Sequence, residues 1–377
     1  MPPPGPTANR APTSSTAEPF RLVVIGAGMM GRLWLDVIRR SADVRLVGLV
    51  DVDAGAAERA AGDCGFPAVA TATTLDELVG RIAADAVVNA TVPEAHAEVS
   101  TNALLHGMSV LCEKPAADST GAALSMAAAA EVSGRLLMVS QSRRYWRSLV
   151  ALRGQLARLG RIGIVECGFF RAPRLGGFRE TMPYPLLADM AIHHFDLARD
   201  LIGADPLWIS SESFNPPWSW YAGDAAVRVS AQFADGTRFG YTGSWCSPGH
   251  QTSWNGQWRI SGEAGTALWD GDNQPVATTV DGTVVATVDG TGPEEFAGAL
   301  AEFVAALRDG TVPSSEIHRN VMSVAMVDAA IHSARTGRRI VLADLLDGAY
   351  RHALTTERRP ELRAALAAWP SVRDVIA

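Results

Sequence analysis

Lysine occurs once among the 33 lysine and arginine residues of this chain, in the run Cys112-Glu113-Lys114-Pro115. A chain that uses arginine wherever charge suffices keeps lysine where a compact ammonium has a task a guanidinium serves poorly. Held beside a substrate, an ammonium hydrogen-bonds a hydroxyl, and a desolvated one also exchanges a proton. The competing reading is an exposed charge at a strand end. Pro115 fixes the backbone directly after the lysine and admits a cis bond. A second set of reactive types lies in Asp189-Met190-Ala191-Ile192-His193-His194-Phe195-Asp196. On a regular helix, spacings of four and seven place Asp189, His193 and Asp196 on one face. A carboxylate one turn from an imidazole orients it and raises its basicity, as a general base requires. Two alternatives stay open: a helix-surface pair worth a few tenths of a kcal/mol, and a two-histidine metal site without a third ligand. His194 points off that face and reads as structural.

A third cluster is Gly26-Ala27-Gly28-Met29-Met30-Gly31, a G-x-G-x-x-G turn after the apolar run Leu22–Ile25. The first glycine permits the tight turn and the second lets backbone approach a pyrophosphate. The third packs helix on strand, and the helix N-terminus favours the negative charge. Asp51 follows at the end of the next apolar run, where a carboxylate accepts from a ribose hydroxyl and repels a 2′-phosphate. NAD is therefore expected in preference to NADP. The alternative is a glycine turn that binds nothing, and Asp53 reads as a helix N-cap.

These residues need a scaffold that brings them together. Strand patterns at Leu22–Ile25, Arg45–Val50, Ala86–Ala90, Ser109–Cys112 and Leu136–Val139 alternate with helical ones. The helical patterns are Met30–Arg40, Ala54–Ala61, Leu75–Ala83, Ala95–His106 and Ser119–Glu131, with Thr74 and Glu77 as a capping box for the third. Near-continuous apolar strands alternating with helices predict a parallel sheet covered on both faces, and Lys114 at its carboxyl edge lies where such folds bind ligands. Beyond Tyr145, after a helix near Ser148–Leu159, period-two runs at Ile162–Phe170, Ala226–Phe233, Arg238–Trp245 and Trp258–Ser261 predict an antiparallel sheet. Helices follow at Glu295–Arg308 and His318–Thr336. The expected class is α/β followed by α+β. The expected divisions are a disordered tail over 1–19, a dinucleotide-binding domain over 20–141, a substrate and assembly domain over 142–345, and a helical tail over 346–377.

A length of 377 residues fits two domains. A net charge of -7 disfavours nucleic acid. The chain has no apolar run near the ~20 residues that span a bilayer, and its first residues lack the apolar core of a signal peptide. The scattered cysteines Cys64, Cys112, Cys167 and Cys246 form no zinc spacing and predict free thiols in a reducing cytoplasm. Seven of the ten tryptophans fall between Trp208 and Trp269. Their faces suit sugar rings, although packing in a sheet or interface accounts for most of them. Arg143, Arg144, Arg171, Arg174 and Arg179 would suit an anionic substrate.

Taken together, the glycine turn, Asp51, the run Ala103-Leu104-Leu105-His106-Gly107 leading into Glu113-Lys114-Pro115, and the Asp189/His193/Asp196 segment resemble the Gfo/Idh/MocA family of oxidoreductases. The run Ala330-Ile331-His332-Ser333-Ala334-Arg335-Thr336-Gly337 adds to the likeness, which extends from Phe20 to Leu342. The resemblance implies a Rossmann domain followed by a domain with a large open antiparallel sheet, often an oligomer interface, and hence a homodimer or homotetramer. It implies hydride-transfer roles for Lys114, Asp189 and His193. Cofactor contacts are implied at Thr91, Pro93, His96 and Glu113, and substrate contacts at Arg144, Tyr145 and Arg171. Two positions depart from the family pattern: Pro93 stands three residues before His96 where four is common, and Ala191 replaces a frequent glycine. The function implied is hydride transfer between a secondary hydroxyl of a sugar or cyclitol, neutral or anionic, and NAD, with His193 as the base. An alternative within the family is an NAD-dependent glycosidase working by transient oxidation, elimination, water addition and re-reduction, with Tyr145 or a histidine as second base. A third reading is a non-catalytic NAD-binding regulator.

Overall fold

The computed structural model describes residues 18–288 and 290–376, so most of the expected disordered tail lies outside the described residues. The first half is β1 (Phe20–Ile25), α1 (Met29–Arg40), β2 (Val44–Val50), α2 (Ala54–Asp63), β3 (Ala70–Ala72), β4 (Ala86–Asn89), α3 (Pro93–Leu105), β5 (Ser109–Glu113), α4 (Thr120–Ser133) and β6 (Leu137–Ser140). Its strands form one parallel sheet in the order β3-β2-β1-β4-β5-β6. Strands β4, β5 and β6 are buried throughout, the burial expected when helices cover both faces. The order reverses between β1 and β4, which opens a crevice beside the glycine turn.

The expected helix at Leu75–Ala83 does not form. Leu78 donates to the Leu75 carbonyl and Ile82 to that of Leu78, but Gly80 at φ +84° breaks the repeat and Val79 bridges to Ile82. Glu77 is bonded by the backbone and hydroxyl of Thr73, one residue before the cap position expected for a capping box.

The second half comprises α5 (Arg147–Leu156), β7 (Ile162–Phe170), α6 (Ile192–Ile202), β8 (Pro206–Phe214), β9 (Ala226–Phe233), β10 (Arg238–Ser244), β11 (Gln257–Gly262), β12 (Gly265–Trp269), β13 (Val276–Thr279), α7 (Glu295–Asp309), α8 (Ile317–Thr336), β14 (Ile340–Val341), α9 (Leu342–Thr356), α10 (Pro360–Ala368) and α11 (Val372–Ile376). Its sheet runs β13-β12-β11-β7-β10-β9-β8-β14 and is antiparallel except where β7 pairs β10 in parallel. Side chains alternate between a buried face, which includes Phe169, Tyr241, Trp258 and Trp269, and an open face. Helix α7 returns to the first sheet, where Leu300 and Phe303 join the core around Trp34. Helix α8 packs against β8, α4 and α6 and ties the second sheet to the first half.

Candidate active site

The glycine turn has the shape the sequence requires. Gly26 sits at φ +100°, and a Cβ there would lie 2.5 Å from the Ala90 carbonyl oxygen. A Cβ on Gly31 would lie 1.8 Å from the Gly26 carbonyl oxygen, so helix and turn touch through bare backbone. Gly28 caps α1 without a side-chain acceptor, and a Cβ there would meet nothing within 4 Å. Met29 beside it is 71% exposed. Uncapped amides facing open space at the N-terminus of a twelve-residue helix fit a dinucleotide diphosphate. The Asp51 carboxylate accepts from Ala27 N at 2.7 Å and Asp53 N at 2.9 Å, which fixes turn and strand end together. Each oxygen retains acceptor capacity for a ribose hydroxyl. Asp53 caps α2 through Gly55 N.

Strand β5 delivers Lys114 to the same edge of the sheet, where its bond to Pro115 is cis. Its Nζ donates to the Asp189 carbonyl at 3.1 Å and to Asp189 Oδ1 at 3.4 Å. Asp189 Oδ2 accepts from Arg179 Nε at 2.7 Å. Lysine and aspartate side chains are each about four-fifths covered, at 20% and 18% exposure. Burial alone would raise the Asp189 carboxyl, but Lys114 and Arg179 outweigh it and hold the group below the usual carboxylate range.

The sequence placed Asp189 behind His193, and the structure does not. Residues Leu186–Ala191 form a π-helical turn before α6 begins. The wider turn alters the four-residue register, so Asp189 faces Lys114 and Arg179. Asp196, expected on the same face, is 1% exposed and receives Arg144 Nε at 2.7 Å and Nη2 at 2.8 Å. His193 is 9% exposed, and its Nδ1 is enclosed without a partner, so the ring has only Nε2 to offer a ligand. Burial, then the charges of Arg143 and Lys114, hold it well below the usual histidine range and therefore neutral. His194 is buried between Phe169 and Tyr241 in the sheet core.

Several residues expected at the site serve to build it. The His96 ring is buried, with Nδ1 2.6 Å from the Pro115 carbonyl oxygen and Nε2 3.2 Å from that of Thr91. Desolvation keeps this ring neutral with one N–H, and the shorter contact takes it, so His96 braces the Lys114-Pro115 turn. Glu113 accepts from Trp34 Nε1 at 3.0 Å and Lys114 N at 3.2 Å, leaving it enclosed behind the lysine. The Thr91 hydroxyl donates to Asn89 Oδ1 at 2.7 Å, and Pro93 opens α3. Arg144 is spent on Asp196. Tyr145 donates to Glu302 and packs on Gly298 of α7. Arg171 stacks on the Trp254 ring with Cζ 4.4 Å from its centroid, and Arg174 on Trp220 at 4.0 Å. Trp245, Trp258 and Trp269 are core residues. The tie from Arg179 to Asp189 has no sequence signal, because a short turn ending at Thr181 and the irregular run Met182-Pro183-Tyr184-Pro185 separate the pair and leave no periodicity.

Comparison with known proteins agrees with this layout. Residues 20–141 match the profile described as oxidoreductase family, NAD-binding Rossmann fold, and residues 156–268 match that of the GFO/IDH/MocA C-terminal domain. The uncharacterized protein y4oX of Sinorhizobium fredii is 30% identical over 348 residues, covering 87% of this chain and 97% of its own. Inositol 2-dehydrogenase of Rhizobium meliloti is 27% identical, covering 86% of this chain and 99% of its own. Among solved structures, an Agrobacterium radiobacter oxidoreductase in complex with NAD+, L-tartaric acid and magnesium superposes with a TM-score of 0.78 at 18% identity, covering 86% of this chain and 99% of that one.

Proposed function

This chain belongs to the Gfo/Idh/MocA family of NAD-binding oxidoreductases, and from that premise we propose that it interconverts a secondary hydroxyl and the corresponding ketone on a sugar or cyclitol. The observation that carries the reading is the meeting of Lys114, from the glycine-turn sheet, with Asp189, from the turn before α6, beside neutral His193. Bound NAD supplies the hydride acceptor.

The residues divide the remaining work. Gly28 and the first amides of α1 receive the diphosphate, and Asp51 accepts from a ribose hydroxyl while disfavouring a 2′-phosphate. Lys114, braced by His96 through Pro115 and oriented by Asp189, hydrogen-bonds the reacting hydroxyl and stabilises negative charge growing on its oxygen. His193, neutral and unbonded at Nδ1, takes the hydroxyl proton at Nε2. Arg179 keeps Asp189 ionised and fixed, which gives the lysine side chain a defined direction.

The hydrolytic alternative needs a further base beside the new ketone. Tyr145, its leading candidate, is committed to Glu302, and burial together with that carboxylate raises its hydroxyl far above the usual tyrosine range. No observation favours that alternative. The test is a panel of sugars, cyclitols and chromogenic glycosides scored for NADH and for aglycone release. NADH formation from at least one free sugar or cyclitol is expected. Aglycone release without net NADH, or no turnover of any carbohydrate, overturns the reading.

A further inference from the structure

Arginine is abundant in this chain, and where it is not exposed it is almost always paired. Arg144 and Arg153 hold Asp196 and Asp200, Arg179 holds Asp189, and Arg199 holds Asp205. Among the described residues only two arginines that are not exposed lack a carboxylate within ion-pair distance, Arg143 and Arg171. They lie on either side of one tryptophan. Arg143 donates to the Trp254 carbonyl and to Asn255 Oδ1 at 3.2 Å, with Nη2 4.0 Å from the sulfur of Met190, next to Asp189. Arg171 lies on the Trp254 ring and donates one N–H to the Thr252 carbonyl at 2.8 Å. Arg171 therefore keeps most of its five donors uncommitted, and Arg143 keeps Nε and one Nη2 hydrogen.

Withdrawing a cation from water without a counter-ion is costly, and a chain that pairs its other covered arginines leaves Arg143, whose charge reaches His193, and Arg171, on the Trp254 ring, without one. The cost shows at Arg143, which burial lowers to about 10. Its charge also acts on His193, as that of Lys114 does. The Asp189 carboxylate, already shared by Lys114 and Arg179, offers no counter-charge to either arginine. What completes this arrangement is an anion brought by the ligand, with the Trp254 face against its ring.

We propose that the substrate carries an oxyanion, a carboxylate or a phosphoryl group, held between Arg143 and Arg171 while the reacting hydroxyl lies at Lys114. This deepens the carbohydrate reading and rests on it. A neutral sugar would leave both guanidiniums without a counter-ion, whereas an acidic one supplies charge-assisted hydrogen bonds.

The test is calorimetric titration of the NAD-loaded protein with D-glucuronate, D-galacturonate and D-glucose 6-phosphate, each against its neutral parent hexose. Binding of at least one anion at least about tenfold tighter than its parent is expected, from one charge-assisted hydrogen bond. Whether the uronates or the phosphate give the gain identifies the anion. Arg171→Gln should remove most of that gain and Arg171→Lys should keep part of it, with melting temperature and NAD affinity as controls of folding. Equal or weaker binding of every anion, or an unchanged gain in Arg171→Gln, overturns the proposal. Turnover of neutral sugars without anion preference sinks this inference and spares the oxidoreductase reading. Tight anion binding with no turnover does the reverse.

Discussion

Lys114 is held by geometry as much as by charge. Its ammonium reaches both the carbonyl and the carboxylate of Asp189, and the chain behind it is clamped by His96 at Pro115 and by Glu113 at its own amide. A guanidinium would preserve the charge but place its donors farther out on a planar fork. We therefore expect Lys114→Arg to lower kcat by about a hundredfold to ten-thousandfold, the range of a positioned acid–base group, with NAD affinity kept. Wild-type kcat in this variant would remove the lysine from the centre. Arg144 makes the opposite case. The sequence offered it as an anion receptor, yet it is enclosed on Asp196, which also accepts from Ser323 Oγ at 2.7 Å. Arg144→Ala leaves that carboxylate buried without its cation, a loss of about 3–5 kcal/mol of stability. The check is urea unfolding beside steady-state kinetics: a shifted KM with an unshifted denaturation midpoint would restore Arg144 to the substrate.

At the scale of elements, the strand–helix alternation and the glycine turn were legible because their signals are local: apolar runs of fixed period, and glycines where no Cβ fits. The pairing of Asp189 with His193 expected at 3.6 residues per turn fails because the segment between them winds as a π-helix. Strand β8 escaped detection for a related reason. Its Ser210-Ser211 and Ser213 positions break the apolar alternation, and packing against α8 defines the strand instead. The C-terminal helices showed their helical pattern but not their anchor. His318 at the start of α8 lies 2.7 Å from Glu316 and 3.2 Å from Glu131, and Glu131 also accepts from Trp369 after α10 at 2.8 Å. Burial opposes its protonation, but the two carboxylates prevail and raise it above the ordinary histidine value. A raised folded-state value contributes stability that is complete below the unfolded value, about 6.5, and is lost as pH rises through the folded one. Tm should therefore fall across that window above pH 6.5, and His318→Gln should flatten the fall. An equal slope in the variant would show that the clamp does not couple to folding.

The whole molecule presents an asymmetry that no single element explains. Helices α5, α6 and α8 cover one face of the eight-stranded sheet, and the other face carries its own register of side chains. Across it run Gly240, Glu166, Arg259, Leu268 and Val276, on neighbouring strands at paired positions. Ile164, Leu268 and Val276 on this face are 52%, 50% and 55% exposed. Glu166 lies flat against Gly240, where a Cβ would meet its carboxylate at 2.2 Å, and burial raises its carboxyl although no cation pairs with it. A broad surface that mixes exposed aliphatics with Arg228, Arg238 and Arg259 suits a self-complementary interface, since a two-fold axis can bring arginines of one copy to the glutamates of the other. The face spans seven longer strands of the sheet. The expected result in sedimentation velocity at micromolar concentration is a dimer or tetramer. Ile164→Glu, at the centre of the face and remote from Lys114 in the chain, should shift it toward the 39.9 kDa monomer with secondary structure intact. A wild-type chain that sediments as a monomer would leave the open face without this role, and an Ile164→Glu chain that stays oligomeric would place the interface elsewhere.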